Sequence, residues 1–499
     1  MANNVSEKLT QARLESHLMD AANILRGSID AADFKNYIFG FLFLKRLSDS
    51  FEEEAARLLM KSNNRKIAYE DPDEHEFFVP PKAHWKHLSS LTKDLGKAIN
   101  TANDQLEEHN SVLEGVLSAT DFNDKDRLPD EALDKLIKHF SLLNLGNSSL
   151  EDPDILGRSY EYLIAQFADD AGKKGGEFYT PKQVVRLLVE LLDPGEGMYV
   201  CDPTCGSGGM LIQCANRLKE KKGNYKNLVL HGQERNVGTW AICKMNMLLH
   251  GLSGARIERG DTIREPKLLQ KGELCKYDVV IANPPFSLKN WGLEVAGKDP
   301  HGRFRYGVPP KSYGDYAFVQ HMLATLKPSG RAGIVLSNGV LFRGGAEGRI
   351  RQAIVEEDLL EAVIAMPSNL FYGASIPACL FMVNRRKPAD RKGKVLFIYG
   401  ARDYQEEKKQ NKLRDADITK VVSAFRSYSM VAKYCRPVPL DEIRRNEYNL
   451  NIPRYIDITE EEKAVDVQEA VADLRKLLAS RDEAEKKMFD YLKGLGYKV

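Results

Sequence analysis

The spacing of apolar positions divides the chain into three stretches. From about residue 8 to 165 it is helical. Leu14, Leu18, Ala22 and Leu25 share one helical face before Gly27 ends the run, and Phe34, Tyr37, Ile38, Phe41, Leu44 and Phe51 mark a second, longer helix. Residues 61–85 are polar and contain prolines, which predicts irregular chain. Further helices are expected from about Leu88 to Val116 and from Asp130 to Leu143. Another opens at Pro153 and Asp154 and carries Ile155, Leu156, Tyr160, Leu163, Ile164 and Phe167. This pattern describes a helical bundle that packs on something else, with no chemistry visible in it.

After the polar, Gly-rich connection DDAGKKGG (169–176) the period changes. Apolar runs of strand length are expected at 198–201, 228–231, 257–260, 277–282, 331–337, 359–365, 377–383 and 395–399, with helical segments between most of them. Strands alternating with helices predict an α/β fold with a doubly wound, mostly parallel sheet. Beyond residue 400 the chain becomes charged, with a helix near Ile418 to Phe425 and the segment Glu447 to Pro453. A last amphipathic helix, 460–493, carries Val467, Val471, Leu474, Leu477, Leu478, Met488 and Leu492. A helix of that length docks on its own domain or on a partner coiled coil. The expected division is a helical domain at 1–168, an α/β domain at 169–400 and a C-terminal extension at 401–499.

Composition narrows the class only a little. With 43% apolar and 29% charged residues in 499, the chain has an ordinary soluble make-up. Its net charge of +1 demands no nucleic acid globally, so such a surface is local or lent by a partner. No apolar run is long enough to span a bilayer, and no signal peptide is read at the start. The seven cysteines show no C-x-x-C pair and no histidines at zinc spacing, so they read as reduced thiols in a cytosolic protein with no metal site. Cys201 and Cys205 read as small buried side chains.

Candidate chemistry sits where strands end. In YDVVIANPPF (277–286) an apolar strand stops at Asn283-Pro284-Pro285-Phe286, because each proline lacks a ladder donor and the first holds Asn283 extended. Asn283 is thus expected at the carboxyl end of a buried strand, where open α/β sheets bind ligands. A polar side chain, rigid carbonyls and an aromatic ring there can accept hydrogen bonds from a planar amine and stack on its ring. The alternative is a plain Pro-Pro turn. Upstream, DPTCGSGGM (202–210) follows a strand and precedes a helix, so its glycines let backbone approach a ligand while Asp202 offers a carboxylate. The full G-x-G-x-x-G fingerprint is missing, as is a P-loop lysine. Glu234, after the second strand, is placed to accept from ribose hydroxyls. Before that loop, Thr180 suits an N-cap, with Pro181 in the first helical position and Gln183 completing a capping box. Residues 287–313 interleave Lys289, Trp291, Arg303, Phe304, Arg305, Tyr306 and Lys311. They suit contact with nucleic acid or form a loose surface loop.

GEFYTP (176–181), DPTCGSGGML and NPPF, in that order, resemble the γ-class amino-methyltransferases of DNA, and more closely the methylation subunits of type I restriction–modification systems. The resemblance covers nearly the whole chain. It implies a Rossmann-like, S-adenosylmethionine-dependent methyltransferase domain at 169–400, whose sheet has an antiparallel strand near 377–383. It implies that Glu177, Phe178, Tyr179, Thr180, Pro181 and Lys182 border the methionine end of the cofactor. Asp202, Thr204, Gly206, Ser207, Gly208 and Gly209 line its loop, Glu234 holds the ribose, and Asp261 reaches the adenine. Asn283, Pro284, Pro285 and Phe286 then hold a target adenine flipped out of duplex DNA for methylation at N6. The implied setting is cytoplasmic, with no membrane. Sequence choice comes from a separate specificity subunit serving two methylation subunits, and a restriction subunit completes the complex. Two alternatives are an amine methyltransferase acting on protein glutamine or ribosomal RNA, and a non-catalytic assembly module that binds the cofactor.

Overall fold

The computed structural model describes residues 8–30, 33–152, 155–167, 180–371, 377–407, 410–459 and 467–497. Contacts group the chain into two units, the first ending at Ile456 and the second beginning at Asp457.

In the first unit, α1 (Gln11–Leu25), α2 (Phe34–Ser62), α3 (Leu95–His109), α4 (Asp130–Phe140) and α5 (Ile155–Gln166) make up the helical region. The apolar faces read from the sequence of α1 and α2 are the buried ones. Phe41 stacks on Phe140 at 5.8 Å and Phe39 on Tyr160 at 3.6 Å. The helix expected over Leu88 to Val116 is cut short at both ends. Asp94 takes φ 52° before α3, and Asn110 ends it by bonding the backbone N–H and C=O of Phe78 at 2.9 and 2.8 Å. A side chain that satisfies a distant backbone segment competes with a further helical turn. The stretch expected to be irregular also holds a short helix, Arg65–Glu70, capped by Asn64.

The sheet has nine strands: β1 (Tyr199–Asp202), β2 (Val229–Glu234), β3 (Arg256–Arg259), β4 (Tyr277–Ala282), β5 (Leu326–Ser337), β6 (Leu360–Ala365), β7 (Ala378–Asn384), β8 (Lys394–Tyr399) and β9 (Cys435–Pro439). Their order is β9-β8-β6-β7-β5-β4-β1-β2-β3. Pairing is parallel except that β7 runs antiparallel to β5 and β6, and β9 antiparallel to β8. The antiparallel strand lies where the resemblance implied. β9 extends the sheet past residue 400, and Pro437 and Pro439 hide it from a propensity reading. At the outermost position of a sheet a strand tolerates the missing donors.

Helices α6 (Lys182–Leu192), α7 (Gly209–Glu220), α8 (Val237–Leu249), α9 (Asp315–Thr325), α10 (Gly345–Glu356) and α11 (Asp415–Ser427) accompany the strands. The helical region joins this layer through α8. The Tyr160 hydroxyl donates to the Ile242 carbonyl at 3.1 Å, and a Cβ on Gly157 would stand 2.3 Å from the His250 ring, so only glycine permits that approach.

The second unit is α12 (Val467–Gly494) with its flanks, and Val471, Leu474, Leu477, Leu478 and Met488 on it are exposed. No helix among the described residues is long and apolar enough to cross a membrane.

Candidate active site

β1 has β2 on one side and β4 on the other, so the winding of the sheet reverses there and the loops leaving β1 and β4 diverge. Open α/β sheets form their ligand crevice at this point. A cavity of about 680 Å³ lies there, lined by Asp202, Thr204, Gly206, Ser207 and Gly209 from the first loop, by Glu234 and Asp261, and by Asn283 and Pro285 after β4.

The loop after β1 is held from beneath. Gly206 and Gly208 take φ 53° and 83°, in the left-handed region that favours glycine. A Cβ on Gly208 would stand 2.3 Å from Met247 Cε and 2.9 Å from Cys243 Sγ, so the loop rests directly on α8. Asn246, also on α8, donates to the Ser207 carbonyl at 2.9 Å. The Glu234 carboxylate accepts from the N–H of Gly206 at 3.0 Å and of Asn236 at 2.8 Å, which ties the end of β2 to the loop. Asp202 is 2% exposed and accepts from the Thr204 N–H at 3.0 Å. Burial disfavours its charge and pushes its pKa up to about 7. Asp261 accepts from the backbone of Ile263 and Arg264, both at 3.0 Å, and pairs with the Arg264 guanidinium at 3.0 Å.

Asn283 stands above β4. Its side-chain N–H donates to Thr180 Oγ1 at 2.8 Å, while its buried Oδ1 has no partner among the described residues. This corrects the capping expectation for Thr180. Helix α6 starts at Lys182 with no side-chain cap bond, and the Thr180 hydroxyl serves Asn283 instead.

Not every expected residue reaches the cavity. Glu177, Phe178 and Tyr179 lie outside the described residues. Pro181, which precedes α6, and Lys182, its first residue, do not line the cavity, and Lys182 Nζ is 3.9 Å from the Glu161 carboxylate. Pro284 is buried, and Phe286 packs edge-to-face against Phe371 at 5.7 Å. In the following loop, Trp291 is fully buried and donates to the Pro310 carbonyl at 2.9 Å. Arg303, 3% exposed, pairs with Asp299 at 2.7 Å and donates to the carbonyls of Thr262 and Ile263. These two side chains hold the loop onto the segment after β3 and are withdrawn from any surface. Lys289, Arg305 and Lys311 remain exposed.

The cavity also has walls that sequence reading did not supply. Lys35, Ile164 and Phe167 come from the helical region, and Asn236 and Thr239 from the start of α8. The last two carry a legible signal, since Asn236 caps α8 directly after Glu234 by accepting from the Thr239 N–H at 3.0 Å. Nothing local to Lys35 marks it.

A family model described as N-6 DNA Methylase matches residues 151–464, and one described as HsdM N-terminal domain matches residues 14–140. The type I restriction enzyme MjaVIII methylase subunit of Methanocaldococcus jannaschii is 34% identical, over 94% of this chain and 82% of its own. The HindI methylase subunit of Haemophilus influenzae is 33% identical, over 84% of this chain and 100% of its own. Among solved structures, a type I restriction–modification methyltransferase subunit from Streptococcus thermophilus superposes with a TM-score of 0.79 at 31% identity, covering 90% of this chain and 100% of that one. Motif order, sheet order and these likenesses agree that the chain belongs to the N-6 DNA methylase family, as a type I methylase subunit that uses S-adenosylmethionine to methylate adenine N6 in DNA.

Proposed function

We propose that Asn283 Oδ1 and the Pro284 carbonyl accept the two hydrogens of the target adenine's exocyclic amine. The observation that carries this is the buried, unpartnered Oδ1, whose orientation is fixed because the same amide donates to Thr180. A buried acceptor left without a donor costs stability, on the order of 1–3 kcal/mol, and a bound amine removes that cost. Both acceptors together draw the nitrogen out of conjugation with the ring and aim its lone pair at the cavity. Positioning is then the main contribution to rate. Phe286, seated against Phe371, supports the ring of a base that has left its stack.

The cavity suits S-adenosylmethionine, which when bound supplies an electrophilic methyl sulfonium. Its carboxylates, Asp202, Glu234 and Asp261, match a cationic, hydroxylated ligand, and the glycine loop leaves backbone open to it. Glu234 accepts the ribose hydroxyls, Asp261 lies towards the adenine, and Asp202, Thr204, Gly206, Ser207 and Gly209 follow the methionine chain. Thr180 closes that end, and Pro181 and Lys182 border it.

Sequence choice comes from a separate specificity subunit, met by the helical region and by α12, with two methylation subunits per specificity subunit and a restriction subunit in the full complex. The exposed Val471, Leu474 and Leu478 of α12 support this, being spaced as a coiled-coil seam. A cytoplasmic setting fits the seven free thiols, of which Cys205 and Cys243 share a hydrogen bond at 3.8 Å and no disulfide. The division into a helical domain, a methyltransferase domain and a C-terminal partner-binding extension follows.

The test is transfer from labelled S-adenosylmethionine to duplex DNA, by this chain alone and with its specificity subunit, followed by nucleoside analysis. N6-methyladenine that forms only with the partner supports both parts. Label on protein or RNA would overturn the acceptor assigned to Asn283, and sequence-specific methylation by the isolated chain would overturn the division of labour.

A further inference from the structure

We propose that Asp315 is a positioning residue for the target base, because it holds the turn that parts the ring of Phe286 from the wall of the cofactor cavity. The proposal rests on the reading of Asn283 and Phe286 given above. Directly after Asn283-Pro284-Pro285-Phe286, Ser287 takes φ 50°, in the left-handed region that a residue with a Cβ adopts only at a cost. That turn sends the two neighbouring side chains to different tasks. Phe286 meets Phe371, whereas Leu288 lines the cavity and packs on Ile263, Trp291 and Phe318.

A strained turn persists only where its surroundings over-determine it, and two bonds to the start of α9 do so here. The Ser287 N–H donates to Asp315 Oδ1 at 3.1 Å, and the Gly314 N–H donates to the Leu288 carbonyl at 3.1 Å. The first bond has further support behind it. Asp315 is 1% exposed, and its Oδ2 accepts from the Arg343 guanidinium at 3.0 Å. Arg343 also forks onto the Glu347 carboxylate at 2.6 and 2.9 Å, and Glu347 is itself buried, in α10. One guanidinium thus fixes two buried carboxylates, with its own face over the Tyr313 ring at 4.2 Å. A charged acceptor holds a backbone N–H more firmly than a neutral one. Asp315 is therefore oriented before any base arrives.

Asp315, Arg343 and Glu347 do not line the cavity, so their effect on transfer passes through Ser287. If the turn relaxes, Phe286 leaves Phe371 and the base loses its support. Its amine then no longer rests against Asn283 and Pro284.

The test uses the chain assembled with its specificity subunit. Duplex DNA carries 2-aminopurine at the target adenine, whose fluorescence rises when the base leaves the stack. Asp315→Asn is expected to lower kcat on ordinary duplex about 10- to 100-fold and to weaken the fluorescence rise. S-adenosylmethionine affinity should stay unchanged, since the Gly314 bond and the apolar cluster still seat Leu288. Adding Ser287→Gly is expected to recover most of the loss, because glycine takes this φ without strain. A carboxylate needed only to pack α9 would gain nothing from that glycine. Ser287→Val, which spares the buried network but resists a positive φ, is expected to reproduce the loss. Full activity in Asp315→Asn or Ser287→Val, or no gain from the added Ser287→Gly, overturns the assignment. No fluorescence rise with the unaltered complex overturns instead the reading of a flipped base at Asn283 and Phe286, so the two failures are distinguishable.

Discussion

The side-chain amide of Asn283 donates to Thr180 Oγ1 at 2.8 Å, across 103 residues of sequence, and leaves its own oxygen buried without a partner among the described residues. The hydroxyl that looks like a helix cap is therefore the device that orients a carboxamide. Removing the acceptor and removing its orienting group should differ in size.

Asn283→Ala is expected to lower DNA methylation by at least about 100-fold, since correct placement of the reacting amine is lost. Thr180→Val, which frees the amide to rotate, is expected to lower it by about tenfold. Cofactor affinity should stay nearly constant in Asn283→Ala. Methyl incorporation by the assembled complex, beside calorimetric binding of S-adenosylmethionine, checks both. If Asn283→Ala lost cofactor binding in step with activity, Asn283 would be a cofactor ligand instead.

Asp202 makes the site sensitive to pH. In the folded chain its carboxyl keeps its proton up to about pH 7, whereas its ordinary value is 3.8. Between those values the folded state binds more protons than the unfolded one. The contribution of Asp202 to stability is therefore fully present below pH 3.8 and is lost as pH rises towards 7. A cationic ligand beside Asp202 favours its charged form, so binding below pH 7 releases a proton. S-adenosylmethionine should bind more tightly at pH 8 than at pH 6, by about tenfold for one linked proton. Calorimetry in two buffers of different ionisation enthalpy counts the protons, and Asp202→Asn should abolish the difference.

Gly208→Ala should be costly although it adds one methyl group. It forces φ 83° on a residue with a Cβ and drives that carbon to 2.3 Å from Met247 Cε. A loss of about 2–4 kcal/mol is expected, combining backbone strain with overpacking. Thermal unfolding measures it. Gly209→Ala, with no atom of the described residues within 4 Å of its Cβ, should unfold close to the unaltered chain while weakening cofactor binding.

Arg303 and Lys311 share one basic-aromatic loop but should behave oppositely. Arg303→Met breaks a buried pair with Asp299 and two bonds to carbonyls, and is expected to cost about 3–5 kcal/mol of stability. It should leave the salt dependence of DNA binding unchanged. Lys311→Ala should leave stability unchanged and, if the exposed part of the loop meets phosphate, reduce the log–log salt slope by about 1. Denaturation curves with DNA binding over a salt series separate the two.

The sequence by itself determined the elements and the order of the chemistry. A buried strand that ends in two prolines must stop there, so Asn283 had to stand at the carboxyl end of that strand, and glycines after Asp202 had to form a loop open to a ligand. Buried faces of α1 and α2 followed from a period of 3.6 residues. These features are local, and local sterics and apolar periodicity suffice for them. Only the tertiary structure decided which partners those residues have. Thr180 reads as a cap because nothing nearby marks Asn283 as its partner. Arg303 reads as a phosphate contact because its carbonyl acceptors belong to Thr262 and Ile263. β9 reads as loop because its tolerance for prolines depends on lying at the edge of the sheet. Lys35 has no signal at all, because its meaning comes from a cavity whose other walls begin more than a hundred residues away. Propensity acts over a few residues, whereas burial and pairing are settled only when distant segments meet.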